Sequence, residues 1–173
     1  MKEDSMQFKN IEILYDDGVI ERSVITDVEN IFNINFPKTY IELMLNHNNI
    51  SLKNNCFVYH DLYRDEEVIS EIAFDGFSTK SYESSQDILR QYIYDNTEYG
   101  YKHVYSFGST GEGHFICFDY RDDPKGDEPK ICIVIHDEYD EKTGKMRLFP
   151  VAENFEAFLD SLKSFDELME KYS

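Results

Sequence analysis

Hydrophobic and polar positions at the start of the chain alternate first at the spacing of a strand and then at the spacing of a helix. Apolar residues over 11–15 alternate with polar ones and run into Asp16-Asp17-Gly18, which predicts a hairpin with Val19-Ile20 as its return strand. Thr26-Asp27-Val28-Glu29 then has the spacing of a capping box, in which a hydroxyl and a carboxylate each satisfy a backbone N–H group at a helix start. The first helix is therefore predicted to begin there, with an inner face made of Val28, Ile31 and Phe32.

Two more helices are indicated in the first half of the chain. Pro37 suits the first position of a helix, and apolar residues over 40–44 follow at helical spacing until Asn48-Asn49 ends the element. Ser84 and Asp87 have the spacing of a helix cap. The inward face predicted for that middle helix consists of Ile88, Leu89, Tyr92 and Ile93.

Most strand patterns are grouped between these helices. Runs rich in aromatic and β-branched residues predict strands at 56–60, 66–77, 104–107, 114–118, 131–135 and 146–151. The run at 131–135 is apolar on both faces and is expected to be a central strand, while Asn154 and Ser164 begin two C-terminal helical segments. Because strands and helices are grouped rather than strictly alternating, we predict an α+β fold. We expect a single domain over residues 1–173. Its mixed, mostly antiparallel sheet is predicted to be flanked by N-terminal, middle and C-terminal helices.

The charge of the chain is strongly acidic. Asp and Glu outnumber Lys and Arg by 35 to 17, which gives the 173 residues a formal net charge of −18 without an acidic tail. Such an excess favours a basic protein partner, although solubility is the simpler explanation. Nucleic acid and anionic membranes are not expected as direct partners, because the sequence has no cluster of Lys and Arg to bind phosphates.

The N-terminus and the cysteines both indicate a cytoplasmic protein. Residues 1–6 lack the basic region and the apolar stretch of a signal peptide. Cys56, Cys117 and Cys132 are odd in number and form no CxxC pair, so neither a disulfide framework nor a zinc site is indicated. We expect three buried thiols.

The glycines at 108–113 fall as GxxGxG and are followed by a strand pattern. A phosphate-binding loop needs a helix after its glycines, so Gly108, Gly111 and Gly113 predict a hairpin loop instead.

No catalytic arrangement meets its spacing requirements. Ser109, His114 and Asp119 are close in sequence, but no ordered triad follows from that. Cys117, Cys132 and His136 are candidates for cysteine-protease chemistry, but the cysteines lie within apolar β-patterns, where a buried thiol is inert. We predict no enzymatic activity and no cofactor.

Carboxylates crowd two loops late in the chain. They are Asp119, Asp122, Asp123, Asp127, Glu128, Asp137, Glu138, Asp140 and Glu141. Neither loop has the spacing of a calcium-binding EF-hand, and therefore no metal ligand is assigned. A divalent-metal-binding protein is kept as an alternative because of the number of carboxylates. These loops flank paired strands and are expected to project carboxylates from one rigid edge toward a partner.

Four blocks of sequence occur in a recognisable order over residues 25–163. They are 25–40, 104–120, 133–137 and 151–159, and the residues that define them are Glu29, Pro37, Tyr40, Phe107, Gly108, Gly111, Gly113, Asp119, Tyr120, Phe155, Phe158 and Leu159. This ordered set resembles the SUKH superfamily, which includes the fungal Smi/Knr cell-wall regulator and many bacterial immunity proteins. The family often ends its second helix in Asn-Gly-Gly, where this chain has Asn48-Asn49-Ile50.

The resemblance implies an α+β domain without a recognised catalytic centre. In bacteria such domains mainly bind and neutralise a cognate toxin, frequently a nuclease. A nuclease must bind a polyanion, so a basic toxin domain is the expected partner of this acidic chain. A Smi/Knr-type scaffold or signalling adaptor in cell-wall regulation is the alternative.

Overall fold

The computed structural model describes residues 11–91 and 100–172, and within them the chain forms nine strands and four helices. The helices are α1 (Arg22–Phe32), α2 (Lys38–Asn46), α3 (Phe155–Ser161) and α4 (Phe165–Tyr172). The strands are β1 (Ile13–Tyr15), β2 (Ser51–Leu52), β3 (Cys56–Asp61), β4 (Glu66–Glu71), β5 (Ala73–Phe74), β6 (Val104–Ser109), β7 (Phe115–Asp119), β8 (Lys130–Tyr139) and β9 (Met146–Ala152). No helix in these two ranges is long and apolar enough to cross a membrane.

The main sheet has five strands in the order β5-β6-β7-β8-β9, and every neighbouring pair is antiparallel. β1 with β2 and β3 with β4 form two further antiparallel pairs. β8 lies inside the sheet, where Ile131 and Ile133 join the large core and Cys132 and Val134 join a smaller cluster. The α+β class and the mostly antiparallel sheet are confirmed, and residues 131–135 of β8 are buried on both faces of the sheet.

The large core is built around the ring of Tyr40, which is fully buried. α2 begins directly after Pro37, as predicted, so that Tyr40 lies in its first turn. The rings in contact with Tyr40 are Phe36, Phe77, Phe107, Phe118 and Phe155. Phe107 and Phe118 stack with 4.2 Å between ring centroids, which joins β6 to β7. Aromatic residues of the first, second and fourth sequence blocks therefore meet in one place.

The N-terminal hairpin is a wrong prediction. β1 pairs with β2 and not with Val19-Ile20. The turn at 16–18 is present, but its return segment docks on the end of α2: the Ile20 N–H donates to the Leu45 carbonyl and the Asn48 N–H to the Gly18 carbonyl. The turn residues fit either pairing, and the long-range contacts with α2 decide between them.

The capping box at Thr26 is also wrong, because α1 begins four residues earlier, at Arg22. Glu29 therefore lies inside α1, where its Oε2 accepts a hydrogen bond of 2.7 Å from the N–H of Phe36. The helix ends at Phe32, and the next residue, Asn33, caps it in the left-handed conformation with φ 59°. The later caps are confirmed: Asn154 Oδ1 accepts from the Ala157 N–H, and Ser164 Oγ accepts from the Glu167 N–H.

The middle helix is not formed over residues 84–91, which consist of turns, one bridge residue and irregular backbone. Its remaining predicted residues, including Tyr92 and Ile93, lie outside the described residues. Gly76 forms a parallel bridge with Asp87 instead, with the Gly76 N–H donating to the Gln86 carbonyl and the Ile88 N–H donating to the Gly76 carbonyl. These backbone bonds hold the segment against the end of β5 and leave no helical ladder there.

The glycine-rich stretch forms the predicted strand, loop and strand. Gly111 and Gly113 lie in the hairpin loop between β6 and β7, and Gly113 has a φ of 87° that suits glycine. Gly108 differs from the prediction, because it lies within β6 and pairs with Phe74 of β5. A Cβ atom at Gly108 would meet the Ala73 carbonyl oxygen at 2.8 Å, so the close approach of two strands explains this glycine.

Candidate functional site

A cleft of about 890 Å³ lies between α1 and the segment that follows β5. We call it the α1 cleft. One wall consists of residues 19–31, which lead into and include most of α1, and the other consists of residues 77–82 and 87–89. Asp17 and Asn48 complete its lining. Clefts of this size are the usual places where proteins bind other molecules.

The α1 wall follows from the two faces of the helix. Ile25, Val28 and Phe32 are buried against the core. Asp27 and Ile31 are four residues apart, which places them together on the face that lines the cleft. This face pairs an exposed carboxylate with an apolar side chain that is 64% exposed.

The opposite wall is held by a buried amide. Asn48 is 1% exposed, and its Nδ2 donates to the Phe77 carbonyl while its Oδ1 accepts from the Phe77 N–H, both at 2.9 Å. Asn49, with φ 56°, accepts a hydrogen bond of 2.8 Å from Ser84 Oγ. A Cβ atom at Gly76 would overlap the Asn49 side chain, so a larger residue there would displace Asn49 from its hydrogen bonds. The Asn48-Asn49 pair thus connects the end of α2 to the loop that forms the wall.

One rim of the cleft is an ordered polar network. Asn49 Nδ2 donates to Asp17 Oδ2 at 2.7 Å, and the Tyr15 hydroxyl donates to the other oxygen of the same carboxylate. The hydrogen bond from Tyr15 lowers the pKa of Asp17, so the carboxylate is ionised at neutral pH.

The chemistry of the cleft is apolar and acidic. Val19, Ile31 and Leu89 line it and are 77%, 64% and 44% exposed. Its charged lining residues are Asp17, Glu21, Asp27, Asp87 and one cation, Lys80. Exposed apolar side chains with charges around them are typical of protein-binding surfaces, and the excess of carboxylates fits a basic partner.

The two acidic loops lie at opposite ends of β8, and so they do not form the single edge that the sequence suggested. Asp119, Asp122, Asp123, Asp127 and Glu128 precede or flank its start, and Asp137, Glu138, Asp140 and Glu141 lie at its end. A strand rises about 3.3 Å per residue, so the groups are separated by roughly the length of a ten-residue strand. A partner would therefore contact the two groups of carboxylates as two separate surfaces.

Several of the loop carboxylates already have partners within the chain. Asp119 pairs with Arg121 at 2.8 Å and Asp122 with Lys130 at 3.4 Å. Glu138 pairs with both Arg64 and Arg147. Asp140 accepts from the N–H groups of residues 142 and 143 and from the Tyr63 hydroxyl. Of these nine loop carboxylates, those that form no ion pair with another described residue are Asp123, Asp127, Glu128, Asp140 and Glu141.

The candidate catalytic residues are not brought together. Ser109 and His114 lie at one end of the β6–β7 hairpin and Asp119 at the other end of β7. Cys117 and Cys132 face each other across β7 and β8 and are buried, which raises the pKa of the Cys117 thiol. Among the described residues, no three His, Cys, Asp or Glu side chains are grouped to hold a metal ion.

The sequence did not point to the residues that build the α1 cleft. Asn48-Asn49-Ile50, which departs from the usual Asn-Gly-Gly, was the available signal, because a polar pair after a helix indicates a special turn. The hydrogen bond from Asn48 to Phe77 joins residues that are 29 positions apart, and the local spacing of residues in the sequence does not predict such a contact.

The family comparison covers most of the chain and every cleft-lining residue except Asp17 and Val19. The model of the SMI1/KNR4 family, SUKH-1, matches residues 20–161. Comparison with curated proteins and with solved structures found no match. The matched span begins just before α1 and ends with α3, and it contains every strand of the main sheet. The chain belongs to the SMI1/KNR4 family (SUKH-1).

Proposed function

We propose that this protein is an immunity protein, which binds and neutralises a cognate toxin domain of basic charge. The SUKH families include immunity proteins and Smi/Knr-type proteins, so membership supports a binding role. The observation that carries the proposal is the α1 cleft, where Val19, Ile31 and Leu89 are exposed beside four carboxylates and one lysine.

The chemistry of the cleft supports a protein partner. Interfaces usually combine apolar contacts at their centre with polar groups at the rim, and a few desolvated residues supply most of the binding energy. Ile31 and Leu89 supply such apolar contacts, and Asp17 and Asp27 supply charge beside them. A nuclease toxin presents Lys and Arg to a polyanion, and the same groups are attracted to these carboxylates.

The first acidic loop extends this surface. Residues 120–125 are tied to the connection after α1: the Tyr120 hydroxyl donates to the Asn35 carbonyl at 2.6 Å, and Asn35 Nδ2 donates to the Lys125 carbonyl at 3.1 Å. We therefore propose one interface that runs from the α1 cleft to this loop. Its loop carboxylates are Asp119, Asp122, Asp123, Asp127 and Glu128. The group at Asp137, Glu138, Asp140 and Glu141 is proposed as a second, separate contact surface.

Growth rescue tests the function. A toxin-like domain encoded beside this protein is expressed with and without it, and we expect growth only when both are present. Growth arrest in the presence of well-expressed, folded protein would contradict the proposal. Capture of a cell-wall regulator in place of a toxin would support the Smi/Knr-type adaptor.

Charge reversal tests the surface. Asp27→Lys combined with Asp123→Lys is expected to slow association with the toxin domain by about tenfold at low salt and to flatten its salt dependence. Glu66→Lys combined with Glu170→Lys is the matched control, because it also reverses two exposed charges, at the start of β4 and in the last turn of α4, and neither residue lines the α1 cleft. Equal slowing in the control would show that net charge alone matters. The second contact surface is tested separately with Glu141→Lys.

A further inference from the structure

A second, smaller cavity of about 170 Å³ lies on the other side of the loop that forms the α1 cleft wall. We call it the Asp75 cavity. Exposed residues Ser85, Gln86 and Arg90 line it, and so it opens at the surface, while Asp75 and Ser106 form buried parts of its lining. It is smaller than the roughly 300–1,000 Å³ of ordinary ligand pockets and holds more than the volume of one water. Its size fits a single long side chain.

The carboxylate of Asp75 is buried without a partner. The residue is 8% exposed, and its N–H donates to the Phe107 carbonyl at 2.9 Å, which fixes it at the end of β5. Within residues 11–91 and 100–172, its carboxylate accepts no hydrogen bond and forms no ion pair. Among the described residues, the Tyr40 hydroxyl is the one fully enclosed side-chain oxygen that lacks a hydrogen-bond partner. The carboxylate oxygens of Asp75 have no partner either, and so they are not fully enclosed. The open side of Asp75 is the cavity.

The charges around the cavity leave this carboxylate uncompensated. Burial and the neighbouring Asp87 carboxylate raise the pKa of Asp75 to about 7. Arg90 lines the cavity but makes no ion pair with Asp75 or Asp87 among the described contacts. On the core side of Asp75 lie Tyr40 and Cys117, whose pKa values are raised by burial and also by the charge of Asp75. Both side chains are neutral and buried. Two carboxylates, Asp75 and Asp87, thus share a site in which no described residue supplies a paired cation.

We propose that the Asp75 cavity is a socket for a guanidinium side chain of the partner, held by the carboxylates of Asp75 and Asp87. The source of that side chain rests on the proposed function, in which the partner is a basic toxin domain. A guanidinium is favoured over an ammonium because its planar set of N–H donors reaches two carboxylates at once and is more weakly hydrated. Asp87 lines both this cavity and the α1 cleft, so an arginine in the socket is continuous with the proposed interface.

Arg90 sets the selectivity of the socket. Its positive charge at the cavity lining repels a second cation. Only a cation that contacts the buried carboxylate of Asp75 gains an attraction strong enough to outweigh this repulsion. Burial strengthens the pairing of Asp75 with such a cation, because little water competes for it. An exposed acidic residue such as Asp65 offers no such advantage.

A small-molecule titration tests the socket without the toxin. Propylguanidinium is added to the free protein at pH 8, and the ¹³C resonance of the Asp75 carboxyl is followed with the amide resonances of Ser106 and Gly108. We expect a saturable shift at these positions, with no shift for neutral propylurea and a weaker one for propylammonium. Asp75→Asn is expected to weaken binding by roughly tenfold, the effect of one charge-assisted contact. Asp65→Asn is the matched control and is expected to bind as the unsubstituted protein does.

Two results would overturn the proposal. One is a titration in which the Asp75 carboxyl shifts no more than exposed carboxylates, or in which the amides of Ser106 and Gly108 shift equally in Asp75→Asn. The other comes from Arg90→Gln, which we expect to strengthen binding of the probe by removing a competing charge. Weaker binding would mean that the probe is not held as a cation by Asp75, because loss of a like charge cannot weaken such a pair. Because the probe contains no toxin, a negative titration leaves the proposed function standing, and a failed growth rescue leaves the socket standing.

Discussion

The fold makes the carboxyl group of Asp75 harder to ionise than it is in the unfolded chain. Its pKa is raised from 3.8 to about 7 by burial and by Asp87. Between these two values the folded chain binds more protons than the unfolded chain, so stability falls as the pH rises from about 4 to 7 and stays low above that range. A buried carboxylate that lowers the stability of the folded protein at neutral pH fits a binding role better than a structural one.

Asp75→Asn is therefore expected to stabilise the protein at pH 8. The shift of about three pKa units corresponds to at most about 4 kcal/mol, and the substitution removes the charge while keeping the shape. The gain should disappear near pH 3, where the carboxyl is mostly protonated in both states. Urea unfolding of both proteins from pH 3 to pH 8 measures it. An equal difference at the two ends of this range would mean that packing, not ionisation, sets the effect of the substitution.

Helix α1 has one face for the core and another for the cleft. Ile25 is 1% exposed and Ile31 is 64% exposed, although both are isoleucines of the same helix. The core face stabilises the fold by burying apolar area, and the cleft face contributes little to folding. The two faces can therefore be tested by the same substitution.

We expect Ile25→Ala to lower the free energy of unfolding by about 2–5 kcal/mol, because it leaves a cavity in the large core. Ile31→Ala is expected to change it by less than about 0.5 kcal/mol and to weaken toxin binding. Chemical denaturation and a binding titration measure the two effects. A loss of stability in Ile31→Ala as large as in Ile25→Ala would show that the cleft face is packed.

The elements that the sequence predicts well are those fixed by local spacing. Asn154 caps α3 and Pro37 precedes α2 because the capping groups and the helix are a few residues apart. The middle helix is absent from residues 84–91 because longer-range bonds hold this segment: Ser84 Oγ donates to Asn49 Oδ1, and Gly76 bonds the backbone on either side of Asp87. The site was missed for the same reason. Asp75 looks like an ordinary acidic residue at a strand end until β5, β6 and the loop after Gly76 enclose it.

The whole molecule carries a formal net charge of −18. Repulsion among these charges opposes folding and is screened by salt over a distance of about 10 Å at 0.1 M. We expect the melting temperature to rise as sodium chloride is raised from about 20 to 300 mM, the range over which exposed charges become screened. Association with a basic partner should slow over the same range. A melting temperature that falls with salt would show that ion pairs such as Arg147–Glu138 outweigh the repulsion.

The burial of all three cysteines leaves the folded molecule without an accessible thiol. Cys56, Cys117 and Cys132 are free and buried, and the chain has no other cysteine. The thiol introduced by Ile31→Cys would therefore be the one group that reacts with a maleimide dye under native conditions. The α1 cleft is thus open to site-specific labelling without removal of any native cysteine, and the fluorescence of such a label would report directly on what enters it.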